Sequence, residues 1–117
     1  MLYGIRRAPV GPFSSWPGGA HRTFQPGNYA GHSIVARSPA QSFTNAERAS
    51  INAIGRTTGC HTCGALFPGT KSGNFVPDHQ PVTRLNFYST PQRLFPHCIS
   101  CSRDQGLATA RFLRGKK

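Results

Sequence analysis

Two kinds of chemically capable side chains are concentrated between residues 59 and 106. All four cysteines lie there, as two C-x-x-C pairs, Cys60/Cys63 and Cys98/Cys101. Four thiolates brought together complete the tetrahedron that structural zinc prefers. Between the pairs comes Asp78-His79, in a chain with only three acidic residues. A carboxylate can bind a divalent ion and an imidazole can take a proton from water, so this dipeptide is the candidate for hydrolytic chemistry.

The cysteine pattern favours zinc over two disulfides. The N-terminus has no apolar stretch of the kind that directs secretion, and paired C-x-x-C motifs without such a signal are typical of metal sites and of a reducing compartment. The chain has 117 residues, 37% of them hydrophobic, with 10 Pro and 13 Gly. A core this small generally needs a staple, which a structural metal supplies.

The charge balance points to a nucleic acid partner. Fourteen Lys and Arg against three Asp and Glu give a net charge of +11, and basic side chains bind phosphates. Solubility and attraction to an anionic membrane surface are the alternatives. No apolar run is long enough to cross a bilayer, so we expect no membrane insertion. The early arginines, with no acid before Glu47, leave organellar targeting open.

Residues 1–43 are rich in Pro and Gly and contain several turn signals. We expect a basic arm that is extended or disordered, with at most a short edge strand near residues 33–36, and a folded domain over residues 44–117. Two roles are open for the aromatic residues of the arm: docking on a partner, including stacking on bases, or covering the small core. These residues are Phe13, Trp16, Phe24 and Tyr29.

The folded part reads as a small α+β domain. Thr44 and Glu47 form a capping box that begins a short helix, which we expect to end at Gly55. Two short strands, 65–67 and 74–76, are expected to form a hairpin, and Pro77 to end their pairing. A loop over 82–91 follows, and the second cysteine pair opens a helix that reaches Arg114. Residues 59–64, in which glycines flank the first cysteine pair, form a tight turn that we call the knuckle. Knuckle, hairpin and helix in this order predict a zinc-stapled treble clef.

Within this plan, Asp78-His79 follows the hairpin, where the side chains can face a cleft. His61 lies inside the first cysteine pair. We expect it to be exposed, because four thiolates already fill the coordination shell of zinc. The alternative for Asp78 and His79 is local: a turn cap and a hydrogen bond across the hairpin.

Residues 44–106 resemble the HNH, or His-Me finger, nucleases that carry a zinc-stapled treble clef. The stretches GCHTCG, PGTKSGNFVPDHQP and QRLFPHCISCSRDQG are similar to nuclease-like domains at the C-termini of bacterial Rhs-type polymorphic toxins. The resemblance implies a metal-dependent endonuclease acting on DNA, a role as a toxin effector, and an immunity protein as partner. The first 43 residues lie outside it.

The resemblance also implies roles for single residues. His79 would be the general base, and Asp78 would bind the catalytic divalent ion, Mg²⁺ or another. The family usually has His or Asn just after the last cysteine, where this chain has Ser102. Gln105, one turn further along the helix, or His97 would then supply the missing ligand.

Five basic residues near the motifs are the candidates for phosphate contacts, with a solvated surface as the alternative: Lys71, Arg84, Arg93, Arg103 and Arg111. A second class of function competes with the nuclease. A non-catalytic basic zinc protein of a ribonucleoprotein assembly, such as a ribosome, would thread its Pro/Gly arm into RNA. A zinc-dependent adaptor for proteins fits the charge less well.

Overall fold

A computed structural model describes residues 6–7 and 21–115. Within them, two α-helices and four strands follow one another in the order β1 (Arg6–Arg7), β2 (His32–Val35), α1 (Asn45–Thr58), β3 (Val76–Gln80), β4 (Arg93–His97) and α2 (Ile99–Arg114), with a short 3-10 helix, Thr83–Leu85, between β3 and β4. The strands form one antiparallel sheet in the order β1-β2-β4-β3. The chain is therefore an α+β domain, as predicted. Within these residues no helix is long and apolar enough to cross a membrane.

Helix α1 begins as the sequence predicts. The Thr44 hydroxyl accepts the Glu47 N–H at 3.1 Å, and the Glu47 carboxylate accepts the Thr44 N–H at 2.7 Å. The predicted end at Gly55 is wrong, because the helix continues to Thr58 and stops at Gly59, where φ is +79°. Gly55 serves packing instead: a Cβ there would lie 2.4 Å from the Phe75 ring.

The hairpin forms between other residues than those predicted. No strand covers 65–67, because the backbone there closes the knuckle: Cys60 N–H donates to the Ala65 carbonyl at 2.9 Å, and Ile99 N–H to the Pro68 carbonyl at 2.8 Å. Strand β3 pairs with β4 instead. The expectation that Pro77 ends pairing is also wrong. It lies opposite Pro96, at a ladder position that uses no N–H from either residue.

The core has two clusters, and both include residues assigned to the arm. Ile34 of β2 packs with Ile51, Phe75 and Leu94 beside the buried cysteines. Phe24 belongs to the second cluster, against the C-terminal half of α2. Residues 21–43 are thus part of the folded unit, since β2 lies between β1 and β4 in the sheet. Phe24 covers the core, whereas Phe13 and Trp16 lie outside the described residues.

Candidate metal centre and adjoining pocket

The four cysteine sulfurs converge on one point. They lie within 4.8 Å of one another, and the Sγ atoms of Cys63 and Cys98 are 3.7 Å apart. Sulfurs at the corners of a tetrahedral zinc site are separated by about 3.8 Å, as follows from a Zn–S bond of about 2.3 Å. Cys60, Cys98 and Cys101 are buried and Cys63 is exposed. The cluster is compatible with a zinc ion, and these residues would hold it.

Backbone N–H groups donate to two of the cysteine sulfurs, whereas burial opposes ionisation of the thiols. Cys98 is the N-cap of α2, and its Sγ accepts the Cys101 N–H at 3.4 Å. Burial raises the pKa of the Cys60 and Cys101 thiols, and the nearby cysteines raise the pKa of Cys101 further. Burial also opposes ionisation of Cys63, but the Ala65 N–H and the neighbouring thiols outweigh it and lower that pKa. Four thiolates at this spacing repel one another, and a divalent cation removes that repulsion.

His61 points inward, so the expectation that it is exposed is wrong. The residue is fully buried. Its Nδ1 accepts the Gly27 N–H at 3.1 Å, and its Nε2 lies 2.8 Å from the Asp78 carboxylate. A ring that accepts through Nδ1 is neutral and carries its proton on Nε2. His61 therefore donates to Asp78 and has no free lone pair.

Asp78 is the centre of this buried network. Its Oδ2 accepts from His61 and, at 2.9 Å, from the Gln80 amide. Burial alone would raise the pKa of the carboxyl, but the histidines at positions 97 and 61 and the two donors outweigh it, so the pKa lies below its ordinary value. Asp78 is thus ionised at neutral pH. Both hydrogen bonds use Oδ2, which leaves Oδ1 without a partner among the described residues.

His97 completes a second group of potential metal ligands with His61 and Asp78, whose ligand atoms lie within 4.8 Å of one another. Burial lowers the pKa of His97 to about 4, so the ring is neutral. Its Nε2 bonds the Thr62 hydroxyl at 2.9 Å, and its Nδ1 is 3.7 Å from Asp78 Oδ2, too far for a hydrogen bond. Because His61 has no lone pair to offer, the group lacks one of its three ligands for a metal. A hydrogen bond joins His61 to Asp78, and His97 stacks on His61.

His79 lies on the other face of β3 from Asp78. Its Nε2 is 2.8 Å from the Ser38 carbonyl, which can only accept, so this nitrogen carries the proton. The Gln41 amide nitrogen, which can only donate, lies 3.5 Å from Nδ1, so Nδ1 is the lone-pair nitrogen. Phe43 packs beside the ring, with centroids 5.7 Å apart, and the residue is 3% exposed. The backbone thus fixes both the orientation and the tautomer of His79.

A pocket of about 170 Å³ runs along the open edge of β3, and we call it the edge pocket. Four consecutive β3 residues, 76–79, line it, which places it at the strand's edge because successive side chains face opposite ways. Helix α2 forms the other wall with Ser102 and Gln105, and Arg84 stands on the loop between β3 and β4. The structure therefore brings Asp78, His79 and Gln105 together. His97 is stacked on His61 instead.

The five basic candidates are placed very differently. Arg84 is exposed and lines the edge pocket. Arg93 is turned inward, where its guanidinium donates to the hydroxyl and carbonyl of Ser33. Lys71, Arg103 and Arg111 are exposed, and Arg111 borders a separate depression beside Phe24. Arg84 alone among the five contributes to the edge pocket.

The sequence did not reveal the residues, distant along the chain, that contact His79 and His61. Ser38 and Gln41, which contact His79, and Gly27, which contacts His61, all belong to the segment assigned to the arm. Of these three residues, only Gly27 has a residue type that indicates a backbone constraint. A Cβ there would lie 2.2 Å from the His61 carbonyl oxygen, so a glycine is required for this close approach.

Comparison with protein-family models, curated proteins and solved structures finds no match for this chain.

Proposed function

We propose that this chain is a divalent-metal-dependent endonuclease stabilised by a structural zinc. One observation carries the proposal. His79, with an unprotonated Nδ1, and Asp78, with an unpartnered Oδ1, line one pocket together with Ser102 and Gln105 of α2. A base with a fixed tautomer beside an ionised carboxylate is the minimum equipment for activating water at a phosphodiester.

The order of elements supports a treble clef of the His-Me finger type. The cysteine knuckle precedes the β3–β4 hairpin, and α2 follows with the second cysteine pair at its start. The candidate dipeptide lies on the first strand of the hairpin, and the edge pocket separates that strand from the helix. The order of knuckle, hairpin and helix is the one that the sequence resemblance implies, but the expected position of the dipeptide after the hairpin is wrong, because Asp78 and His79 lie within strand β3. DNA as the substrate, and a role as a toxin effector with an immunity protein, are proposed on the resemblance.

In the proposed reaction, His79 Nδ1 takes the proton of the attacking water, and the Ser38 carbonyl stabilises the imidazolium through Nε2. Asp78 would hold the divalent ion through Oδ1, while the His61 and Gln80 donors fix the carboxylate through Oδ2. When bound, that ion neutralises charge on the phosphate and the leaving oxygen. The Gln105 amide nitrogen donates to the Thr23 carbonyl at 2.8 Å, so the Gln105 amide oxygen is the atom that would bind the divalent ion. Arg84 binds the phosphate.

Digestion of plasmid DNA and of RNA tests the proposal, with Mg²⁺ or Mn²⁺ and zinc-loaded protein. His79→Ala should lower the cleavage rate by about 10²–10⁴. His32→Ala removes a histidine that is exposed on β2 and should cut as wild type does. Circular dichroism and zinc content should be unchanged in both variants. Equal cleavage by wild type and His79→Ala would refute the proposed base.

The burial of His79 against residues 38–43 favours a second candidate. A ring that is 3% exposed also suits a purely structural role, in which the net charge of +11 serves a non-catalytic zinc protein of a ribonucleoprotein assembly. The same experiment separates the two. Absence of cleavage by wild type, together with RNA affinity that falls steeply with salt, supports the assembly protein.

A further inference from the structure

A second cavity lies next to the edge pocket, on the far side of the β3–β4 loop. It has a volume of about 310 Å³. Its lining residues come from the segment after β2 and from the β3–β4 loop: Ala36, Ser38, Pro39, Thr83, Asn86 and 89–92. Thr83 lines both this cavity and the edge pocket. Ser38, which lines the cavity, is also the residue whose carbonyl orients His79. A ligand seated in the cavity is therefore adjacent to the candidate catalytic dipeptide.

The two depressions differ in charge. Three of the residues that line the edge pocket, Asp78, His79 and Arg84, have ionisable side chains. The second cavity is lined by no charged side chain among the described residues. Its walls combine the rings of Pro39 and Pro91 with hydroxyl and amide groups. Such walls suit a flat, uncharged group with polar edges, whereas a phosphate would find no cation there.

The loop that forms the cavity is built before any ligand arrives. The Asn86 side chain closes a ring with Thr90, through an amide-to-carbonyl bond of 2.8 Å and two bonds from Thr90 to its Oδ1. Gln92 Nε2 donates to the Pro81 carbonyl and the Thr83 hydroxyl at 2.8 and 2.9 Å. These bonds fix the cavity wall, so binding costs little ordering of the protein. The same bonds use Gln92 Nε2 and leave Oε1 without a partner among the described residues.

We propose that the second cavity binds a nucleobase of the strand whose phosphate occupies the edge pocket. The proposal rests on the proposed nuclease function and specifies its substrate. A base seated in a side cavity has left the helical stack, so the preferred substrate is single-stranded or locally unpaired nucleic acid. Tyr88 at the tip of the same loop is 90% exposed and offers a face on which a neighbouring base can stack.

The first test is an NMR titration of zinc-loaded wild-type protein without added Mg²⁺. The probes are the four nucleoside 5′-monophosphates, ribose 5-phosphate and inorganic phosphate. We expect the monophosphates to shift the amide signals of the cavity-lining residues that have a backbone N–H, and the two base-free probes to leave them unchanged; these residues are Ala36, Ser38, Thr83, Asn86, Ser89, Thr90 and Gln92. Equal shifts with the base-free probes would overturn the proposal, and so would the absence of shifts with every nucleotide.

The second test measures binding of a fluorescent single-stranded oligonucleotide by anisotropy under the same conditions. Ser89→Glu places a negative charge at the cavity, at an exposed position. Ser72→Glu is the control, because it makes the same change of charge at an exposed residue that precedes the start of β3 at Val76. Loss of one stacked base should weaken binding roughly 5- to 150-fold in Ser89→Glu relative to Ser72→Glu. Equal affinities of the two variants would overturn the proposal.

Neither test requires cleavage, so the two proposals fail separately. Wild type that cuts nothing but shows the nucleotide-specific shifts loses the nuclease function and keeps the base site. Wild type that cuts duplex and single strands equally well, with no loss of affinity in Ser89→Glu, keeps the nuclease and loses the base site.

Discussion

The residues that the structure describes contain two compact groups of potential metal ligands, and only one of these two is suited to hold a metal. In the thiol cluster, four sulfurs converge, and burial opposes ionisation of Cys60 and Cys101, so a cation that binds the thiolates stabilises the cluster. In the cluster of His61, Asp78 and His97, the ligand atoms are equally close. There, however, the Gly27 N–H occupies one nitrogen of His61 and Asp78 occupies the other. Short distances between potential ligand atoms therefore do not identify a metal site. Each ligand atom must also have a lone pair that no hydrogen bond occupies.

The two clusters also connect different segments of the fold. The thiol cluster joins the knuckle to the start of α2, while the His–Asp cluster joins the knuckle to β3 and to residues 21–30. Removing a ligand from the first should release the metal. Removing a member of the second should loosen the packing and leave the metal in place.

The largest effect is expected from breaking the thiol cluster. Cys98→Ser, or treatment with a strong chelator, should remove about one zinc per chain and abolish cooperative thermal unfolding. Structural zinc sites contribute about 10–16 kcal/mol in small domains, which exceeds or equals the whole stability of most domains. Metal analysis and circular dichroism measure both effects, with Ser100→Ala on the same turn of α2 as the control. Zinc-free protein that melts at the wild-type temperature would contradict the role of the metal.

An intermediate effect is expected at Asp78. Asp78→Asn removes the ionised acceptor of two buried hydrogen bonds and should lower the free energy of unfolding by about 1.5–3 kcal/mol, with zinc content unchanged. Asp104→Asn is the matched control, because Asp104 pairs with Arg22 on the surface and exposed pairs contribute about 0–1 kcal/mol. Urea denaturation of both variants measures the difference. Loss of zinc in Asp78→Asn would show that the clusters are not independent.

A comparable but more local effect is expected at Gly27. Gly27→Ala places a Cβ against the His61 carbonyl, and overpacking of this kind costs about 1–3 kcal/mol. Hydrogen exchange at the Gly27 and Tyr29 amides, which donate to His61, should accelerate. Gly31→Ala provides the control, since its Cβ would meet only the Thr58 methyl at 3.7 Å. Equal exchange in both variants would show that the close approach is unimportant.

The smallest effect is expected from a carboxylate outside both clusters. Burial opposes ionisation of Glu47, but the Thr44 N–H and Arg37 outweigh it and lower its pKa below 4.5. A lowered carboxyl pKa stabilises the fold above the unfolded-state value, and this contribution disappears as pH falls through the folded-state value. Glu47→Gln should therefore cost less than about 1 kcal/mol at pH 7, and its difference from wild type should vanish in acid. A difference that persists after the pH has fallen below the folded-state pKa of Glu47 would refute this origin.

Local signals in the sequence predicted the elements that depend on neighbouring residues. The capping box of Thr44 and Glu47 and the start of α2 at the second cysteine pair needed only short-range hydrogen bonds, and both are confirmed. The convergence of all four cysteines follows from their spacing, and it too is present in the structure. The proposed roles of His79 and Asp78 remain predictions.

Contacts between residues distant in sequence caused the errors. Spacing within C-x-x-C does not determine which way His61 faces, because its partners are Gly27 and Asp78, 34 and 17 residues away. Gly55 looked like a helix end because its packing partner, Phe75, lies on another segment. The residues around 65–67 have strand-like side chains, but the knuckle and α2 use their backbone groups.

The carbonyl of Thr23 accepts two side-chain amides, from Gln80 on β3 and Gln105 on α2, each at 2.8 Å. This has a consequence for modularity, since it sets where the unit can be cut from a longer polypeptide or joined to another one. A fragment that begins at Thr44 would lack the carbonyl that accepts from both amides. It would also lack Phe24, so its position in the second core cluster would be empty. A fusion partner joined just before His21 would leave them intact. The transferable unit of this protein therefore extends well before Thr44, and it must include Arg6–Arg7 if all four strands of the sheet are to be kept.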